Sequence, residues 1–259
     1  MADQIDSPRV AVVVPCFNDG ALIREAVSSI SESEPVEVIV IDDASDDPES
    51  RRMCEQLGEE GAKVVLLDRN VGLGAARMRG VAVALAPYVF SLDSDDLAVP
   101  GMLGAMADRL DLNPEAGACY GDWEEFGTED RSVPVPPRID PYRLAYNDEY
   151  PPAAMYRRNV LERTGGWAPP AGFDRPLSGY EDWHLWMSIA ERSIPAIYMG
   201  PGVVTYRRRL HGTRLLHHAR ANHRTYYRSL RRLHPELFAA RSANRSQSDL
   251  SPLSRRRDR

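Results

Sequence analysis

The 259-residue chain is poor in cysteine and has no long apolar run and no internal repeat. Cys16, Cys54 and Cys119 are odd in number, which excludes a fully paired disulfide framework. They fall within expected regular elements, so free thiols in a reducing cytoplasm are expected. No apolar stretch approaches the ~20 residues of a membrane span. The opening Met1-Ala2-Asp3-Gln4 carries no signal-peptide pattern. A net charge of −6 comes with no recognised nucleic-acid motif, so nucleic acid is not an expected partner. The length suits one α/β domain with additions.

What the chain does have is an alternation of apolar runs and helical patterns. Val10 to Cys16 is an apolar strand ending near Pro15, and Asp19 can cap a helix to about Ser33. Val36 to Ile41 leads into the pair Asp42-Asp43. Asp47-Pro48 opens a second helix, with proline at the first helical position. Lys63 to Leu67 is a third strand and Leu73 to Leu85 a third helix. Tyr88 to Leu92 is a fourth strand, and Pro100 opens another helix. This order predicts parallel βαβ units. In such sheets ligands gather beyond the carboxyl ends of the strands. Phe17, Asp43 and Asp93 to Asp96 should therefore converge on one crevice.

The densest chemistry is Phe90-Ser91-Leu92-Asp93-Ser94-Asp95-Asp96. Three carboxylates at a buried strand end repel one another unless a cation sits among them. Hard divalent cations such as Mg²⁺ prefer oxygen ligands and commonly bind a phosphate as well. A solvated acidic loop is the alternative for a chain with 38 acidic residues.

Several segments occur in the order of a known family. Val13-Val14-Pro15-Cys16-Phe17-Asn18, Ile41-Asp42-Asp43-Ala44-Ser45, Asn70-x-Gly72-x-x-x-Ala76-Arg77 and Leu92-Asp93-Ser94-Asp95-Asp96 resemble the consecutive motifs of family 2 inverting glycosyltransferases of GT-A fold. Arg157 to Trp167 is similar to the family's arginine–leucine–glycine–glycine–aromatic segment. Gly179-Tyr180-Glu181-Asp182-Trp183 is similar to its Glu-Asp catalytic motif. The resemblance spans roughly residues 8 to 213.

The resemblance implies a fold: a Rossmann-like, mostly parallel sheet with flanking helices. It also implies roles. Pro15 and Phe17 would lie at the base of a UDP-sugar, and Asp43 would recognise its uracil. Asp93 and Asp95 would be the Asp-x-Asp pair for Mn²⁺ or Mg²⁺, with Asp95 the most direct ligand and Ser94 near the ribose. Arg77 would join the donor site. Arg208 and His211, in Tyr206-Arg207-Arg208-Arg209-Leu210-His211, would serve the diphosphate, and His211 the metal as well. Asp182 would be the general base. Glu181, Trp183 and Trp123 are candidates for acceptor binding. Two positions depart from the pattern: Met78 stands where the family has asparagine, and His184 where it has aspartate.

Bland readings stand beside these. Asp182 suits a helix N-terminus as a mere dipole partner. Arg77 suits a helix surface, His211 a structural role, and Trp183 with Trp186 a core. Trp123 can line a pocket or close a sheet edge. The chemistry asks for the same groups independently: positive charge at a departing diphosphate and one carboxylate base for the acceptor proton. A sugar-phosphate nucleotidyltransferase would carry a Gly-rich basic loop after the first strand, where this chain has Pro15 to Asp19. A non-catalytic nucleotide-sugar-binding protein would not need the set Asp93, Asp95 and Asp182.

The expected division is a transferase domain over 1–212, with a donor half at about 8–100 and an acceptor half at about 101–212. A basic helical extension follows at 213–241 and a disordered tail at 242–259. The irregular run from Val133 to Asp148 suits an acceptor loop or lid. From Pro201 arginines are dense, and residues 213–233 have helical spacing. Three readings are open for this helix: packing back on the acidic body, which charge favours, touching anionic lipid, or docking an acidic protein such as a carrier. The acceptor is left open among small molecules, lipid-linked and carrier-linked groups. Envelope or exopolysaccharide assembly and secondary metabolism are both compatible.

Overall fold

A computed structural model describes residues 7–173, 177–212, 219, 221–246 and 248. The chain begins with β1 (Val10–Cys16), α1 (Gly20–Ser28), β2 (Val36–Asp42), α2 (Pro48–Glu59), β3 (Lys63–Leu66), α3 (Leu73–Val83) and β4 (Tyr88–Ser91). The expected alternation is thus present. Asp47 caps α2 as its sequence suggests, accepting from the backbone N–H of Glu49 and Ser50 with Pro48 at the first turn. Asp19 does not cap α1 with its side chain. The Ser50 hydroxyl accepts from Gly20 N–H instead, and the Asp19 carboxylate takes the Ser94 hydroxyl at 2.8 Å.

β5 (Leu97–Ala98) and α4 (Met102–Asp111) come next, the helix starting after Gly101 rather than at Pro100. Then follow β6 (Ala118–Tyr120), β7 (Asp122–Gly127), β8 (Arg131–Val133), α5 (Pro141–Leu144), β9 (Met155–Arg157) and α6 (Arg158–Thr164). The chain continues through α7 (Glu181–Glu191), β10 (Ala196–Tyr198) and β11 (Val204–Leu210). The run expected to be irregular from Val133 to Asp148 contains the end of β8 and the short α5, which Asp140 caps.

The main sheet has the order β10-β6-β9-β4-β1-β2-β3, parallel except for β9. β1 is buried at every residue because sheet surrounds it on both edges and helices cover its faces. Helix α3 lies so close that a Cβ on Gly80 would sit 2.3 Å from a Val13 methyl, which explains glycine there. The strand order reverses at β1, since β2 and β3 lie on one side and β4 on the other. That switch point opens a crevice beyond the carboxyl ends. A second sheet, β5-β11-β7-β8, closes one wall of it.

The C-terminal region forms α8 (His223–Leu233), α9 (Pro235–Ala239) and α10 (Arg241–Asn244). Tyr226 and Leu230 of α8 are buried, and the Tyr227 hydroxyl donates to the Ala145 carbonyl at 2.6 Å. The extension does pack back on the body, but through aromatic and apolar residues. Its exposed arginines Arg224, Arg228 and Arg232 have no carboxylate partner among the described residues. The earlier part of the expected helix, 213–218 and 220, lies outside the described residues. Of the tail expected to be disordered from 242, residues up to Asn244 are helical. Ser248 is buried and donates to Asp140 at 2.6 Å. Residues 247 and 249–259 lie outside the described set, as do 1–6.

Cys16, Cys54 and Cys119 are free and buried. No helix among the described residues is long and apolar enough to cross a membrane.

Candidate active site

The crevice at the switch point holds a cavity of about 490 Å³. Pro15 and Phe17 after β1, Asp43 after β2, and Asp93, Ser94 and Asp95 after β4 all line it. Arg208 reaches it from β11 and His211 from just beyond that strand. These residues converge because parallel strands end on one side of the sheet. The Asp43 carboxylate accepts from Val71 N–H at 2.7 Å and Gly72 N–H at 2.9 Å, fixing the loop that leads into α3. Its burial raises its pKa above the ordinary value. Ala44, next to it, holds φ 58, a left-handed conformation that costs an L-residue energy.

Three arginines on β11 divide by the two-residue period of a strand. Arg207 and Arg209 lie on one face, both over the Phe126 ring at 4.7 and 4.6 Å. Arg209 also donates from its backbone N–H to Asp96 Oδ1 and from Nε to the Asp95 carbonyl, both at 2.9 Å. Arg208 alone turns toward the crevice.

Asp93, Asp95 and Asp96 each offer an oxygen, and these oxygens lie within 4.8 Å of one another. His211 Nε2 is 2.8 Å from Asp95 Oδ2. Burial, with the charges of Asp95 and Asp93 adding to it, drives the Asp96 carboxyl well above its usual pKa. A crowded acidic set with an adjacent imidazole fits a hard divalent cation by donor chemistry.

A second cavity, of about 580 Å³, adjoins the first. Asp93, Glu181 and Arg208 line both, so they form the shared wall. Asp182, Trp123 and Trp183 line the second only. Trp123 stacks on Tyr206, and Trp183 Nε1 donates to the Leu144 carbonyl, so both are anchored while facing the cavity.

Asp182 begins α7 after Glu181. Its Oδ1 accepts from Arg77 Nη1 at 2.8 Å and from Trp167 Nε1 at 2.9 Å. Burial raises its pKa to about 6 against the pull of Arg77. Glu181 is raised to about 7, also by burial. Gly74 lets α3 approach this segment, since a Cβ there would lie 2.6 Å from the Trp167 carbonyl.

Arg77 is placed differently from the sequence expectation of a donor-site group. It is 1% exposed and lines neither cavity. Its guanidinium bridges Asp93 Oδ1 at 2.6 Å and Asp182 Oδ1 at 2.8 Å and lies over Trp167. Both departures from the family pattern also have structural partners. Met78 fills the space beside Gly166, where a Cβ would meet its sulfur at 2.2 Å. His184 Nδ1 is 2.8 Å from His234 Nε2, and His234 Nδ1 is 2.7 Å from Glu191. His184 thus serves to seat the C-terminal helices, and burial lowers its pKa to about 3.

Sequence reading did not assign Asp19, Asn70 and Gly72, which line the first cavity, or Asp148, which lines the second. Asn70 and Gly72 sit in a motif that had been singled out. Asp19, and Asp148 beside Glu149, are acids in an acidic chain, with no local pattern to mark them.

Residues 11–165 match the family described as "Glycosyl transferase family 2". The chain is 33% identical over 142 residues to the succinoglycan biosynthesis protein ExoU of Rhizobium meliloti, covering 51% of this chain and 40% of that protein. It is 35% identical over 106 residues to ExoO of the same organism, named for the same process, covering 40% of this chain and 30% of that one. It therefore spans less than half the length of these relatives. Among solved structures it resembles S. aureus TarS 1-349 in complex with UDP-GlcNAc. The TM-score is 0.69 at 18% identity, with 95% of this chain and 69% of that one covered. This likeness shows a shared α/β fold with a mostly parallel central sheet and flanking helices.

Proposed function

Because this chain belongs to glycosyl transferase family 2, we propose that it moves a sugar from a UDP-sugar to a hydroxyl or amine acceptor, with inversion. The observation that carries the reading is the pair of adjoining cavities. One is rimmed by Asp43, Asp93, Asp95 and His211, and the other is faced by Asp182. The nucleotide would lie in the first cavity, with Phe17 against the base and the Asp43 carboxylate accepting the uracil N3–H. Asp95, with Asp93 and His211, would hold Mn²⁺ or Mg²⁺. That ion supplies positive charge beside the diphosphate when bound. Arg208 adds a guanidinium on the shared wall.

The acceptor would enter the second cavity between Trp123 and Trp183, with Glu181 beside it. Asp182 would take the proton from the attacking hydroxyl or amine as the new bond forms at the anomeric carbon, on the face opposite the diphosphate, while the anomeric C–O bond breaks and UDP leaves with its electron pair. Arg77 and Trp167 hold that carboxylate in place through Oδ1. One base on one side gives inversion.

GlcNAc, Glc or Gal is the sugar we favour, and TarS with its UDP-GlcNAc complex supports this choice. ExoU and ExoO support a role in envelope or exopolysaccharide assembly. The test is release of UDP or other nucleotide from a panel of nucleotide-sugars with Mn²⁺, with and without acceptor pools, and the product anomer read by NMR. UDP release with a β-linked product from an α-linked donor is the expected result. Absence of any UDP-sugar binding would overturn the proposal.

A further inference from the structure

Helix α8 carries a surface that glycosyl transfer does not use. Arg224, Arg228, Arg231 and Arg232 follow one another at i, i+4, i+7 and i+8, so they form one stripe along a single helix face. All four are exposed, and none has a carboxylate partner among the described residues. The opposite face, with Tyr226 and Leu230, is already buried in the body. Arg241 and Arg245 extend the basic surface, and Glu236 is the only acid between residues 221 and 246.

Such a face in a chain of net charge −6 does not come from general composition. Arginines left unpaired on an acidic protein repel one another locally while carboxylates stand elsewhere. The local cost points to an anion that the described residues do not supply.

Two features narrow the partner. Protein interfaces set arginines among apolar or aromatic anchors that fill pockets. Among the described residues the exposed large apolar side chains are Phe17, Leu85 and Leu112, and none lies on α8 to α10. A charge-only face instead matches a diffuse anionic plane, as lipid headgroups offer. The apolar side of α8 is committed to the core, so the helix cannot lay it into a bilayer. Contact would be electrostatic, without insertion. The acidic remainder of the protein would be repelled by the same plane, which sets one orientation.

The helix also belongs to the site described above. His223, its first residue, lines the second cavity and sits 2.7 Å from the Tyr180 hydroxyl. His223 lies on the side of α8 that carries Tyr226 and Leu230, three and seven residues on, so the arginine stripe is on the other side of the helix from this contact. We propose that α8 is a docking face for anionic lipid bilayers, held by arginine–phosphate contacts.

The docking needs no catalysis, so the full chain can be tested directly by flotation. One arm uses vesicles of phosphatidylcholine alone, the other phosphatidylcholine with phosphatidylglycerol, each at low and high salt. Binding is expected only to the anionic vesicles and should be released by salt. Each arginine changed to glutamine should weaken binding about fivefold, so the pair R224Q/R228Q loses roughly 25-fold and the four together roughly 600-fold. The four-lysine variant should bind within several-fold of the original, because the contact is one of charge. Melting temperature and UDP affinity should stay unchanged in R224Q/R228Q, whose side chains make no ion pair among the described residues. Equal binding to neutral vesicles, no binding to either, or undiminished binding by R224Q/R228Q would overturn the proposal. So would a preference for single-stranded RNA over the anionic vesicles.

Discussion

Arg77 and Asp182 form a buried ion pair at 2.8 Å, and the same guanidinium reaches Asp93 at 2.6 Å. One side chain on α3 thus fixes the spacing between the acidic cluster after β4 and the carboxylate at the start of α7. Neither carboxylate can shift without disturbing the other.

Replacing Arg77 should therefore damage folding and chemistry together. Arg77→Met leaves two carboxylates without their cation, and breaking a buried pair in this way costs about 3–5 kcal/mol. Arg77→Lys keeps the charge but offers one point donor in place of a fork. The lysine variant should fold with a lowered melting temperature and lose at least about tenfold in transfer rate, a change of roughly 1.4 kcal/mol in the barrier. Thermal melts and steady-state kinetics on both variants check this. A lysine variant with unchanged transfer would show that the bridge has no part in positioning Asp182.

The position of Arg77 shows where sequence reading stops. Asp93 and Asp95 were legible because an apolar run ending in carboxylates describes a strand end by itself. Asp43 was legible on the same ground. Asp182 gained meaning only from its segment, since a carboxylate at a helix start has an ordinary electrostatic use. That Arg77 would turn inward depends on two carboxylates from distant segments, which no local pattern announces. β9 was equally hidden: three residues, running against its neighbours, wedge between β4 and β6. Such a short strand has too few positions to display a period. The arginines of β11 could be read as a cluster, but which one faces the cavity follows from strand pairing.

The pH dependence follows from Asp182. A base must be deprotonated to act, and burial raises this carboxyl to about 6. Acceptor-dependent kcat/KM should thus rise with pH through about 6 and level off above it. The limb lies well to the alkaline side of an ordinary aspartate. Arg77→Lys should move that limb further up, because a lysine ammonium that sits farther from Asp182 favours its ionised form less. A profile flat from pH 5 to 8 would exclude Asp182 as the titrating base.

Chelation should separate the acidic cluster from the base. Asp93, Asp95 and Asp96 present oxygens within 4.8 Å of one another. Treatment with a chelator should abolish transfer, and Mn²⁺ or Mg²⁺ should restore it. Asp95→Asn should weaken metal-dependent UDP binding by at least tenfold in calorimetry while leaving metal-free UDP binding near the original value. Full turnover in chelator would remove the metal from the reaction.

Ala44 gives a prediction about stability alone. Its φ of 58 lies where alanine is strained by about 1–2 kcal/mol and glycine is not. Glycine also loosens the unfolded chain, which costs about 0.4–1 kcal/mol. The balance favours Ala44→Gly by roughly 0.5–1 kcal/mol, seen as a higher denaturation midpoint at unchanged slope. A lowered midpoint would mean that the Ala44 methyl makes contacts worth more than the strain.

The sharpest test of the proposed chemistry is Asp182→Asn. Both hydrogen bonds to the side chain fall on Oδ1, from Arg77 and Trp167. An asparagine carbonyl can accept the same two, so the shape of the wall should persist. The charge is what goes. Arg77 then keeps only Asp93 as an ion partner, and a moderate loss of melting temperature is expected. Asp182 does not line the cavity proposed for the nucleotide, so UDP affinity should stay within a few-fold. Transfer should fall by ~10² to 10⁴, the range attached to a lost general base. Were Asp182 only a favourable charge at the first turn of α7, its loss would cost ~0.3–1 kcal/mol of stability and leave turnover close to normal. The ion pair complicates that contrast, because losing it can slow transfer by moving Asp93. UDP binding with metal resolves the two: it falls if Asp93 has moved and holds if only the base is gone. A collapse in transfer with intact metal-dependent UDP binding therefore identifies Asp182 as the base, and near-normal transfer ends that assignment.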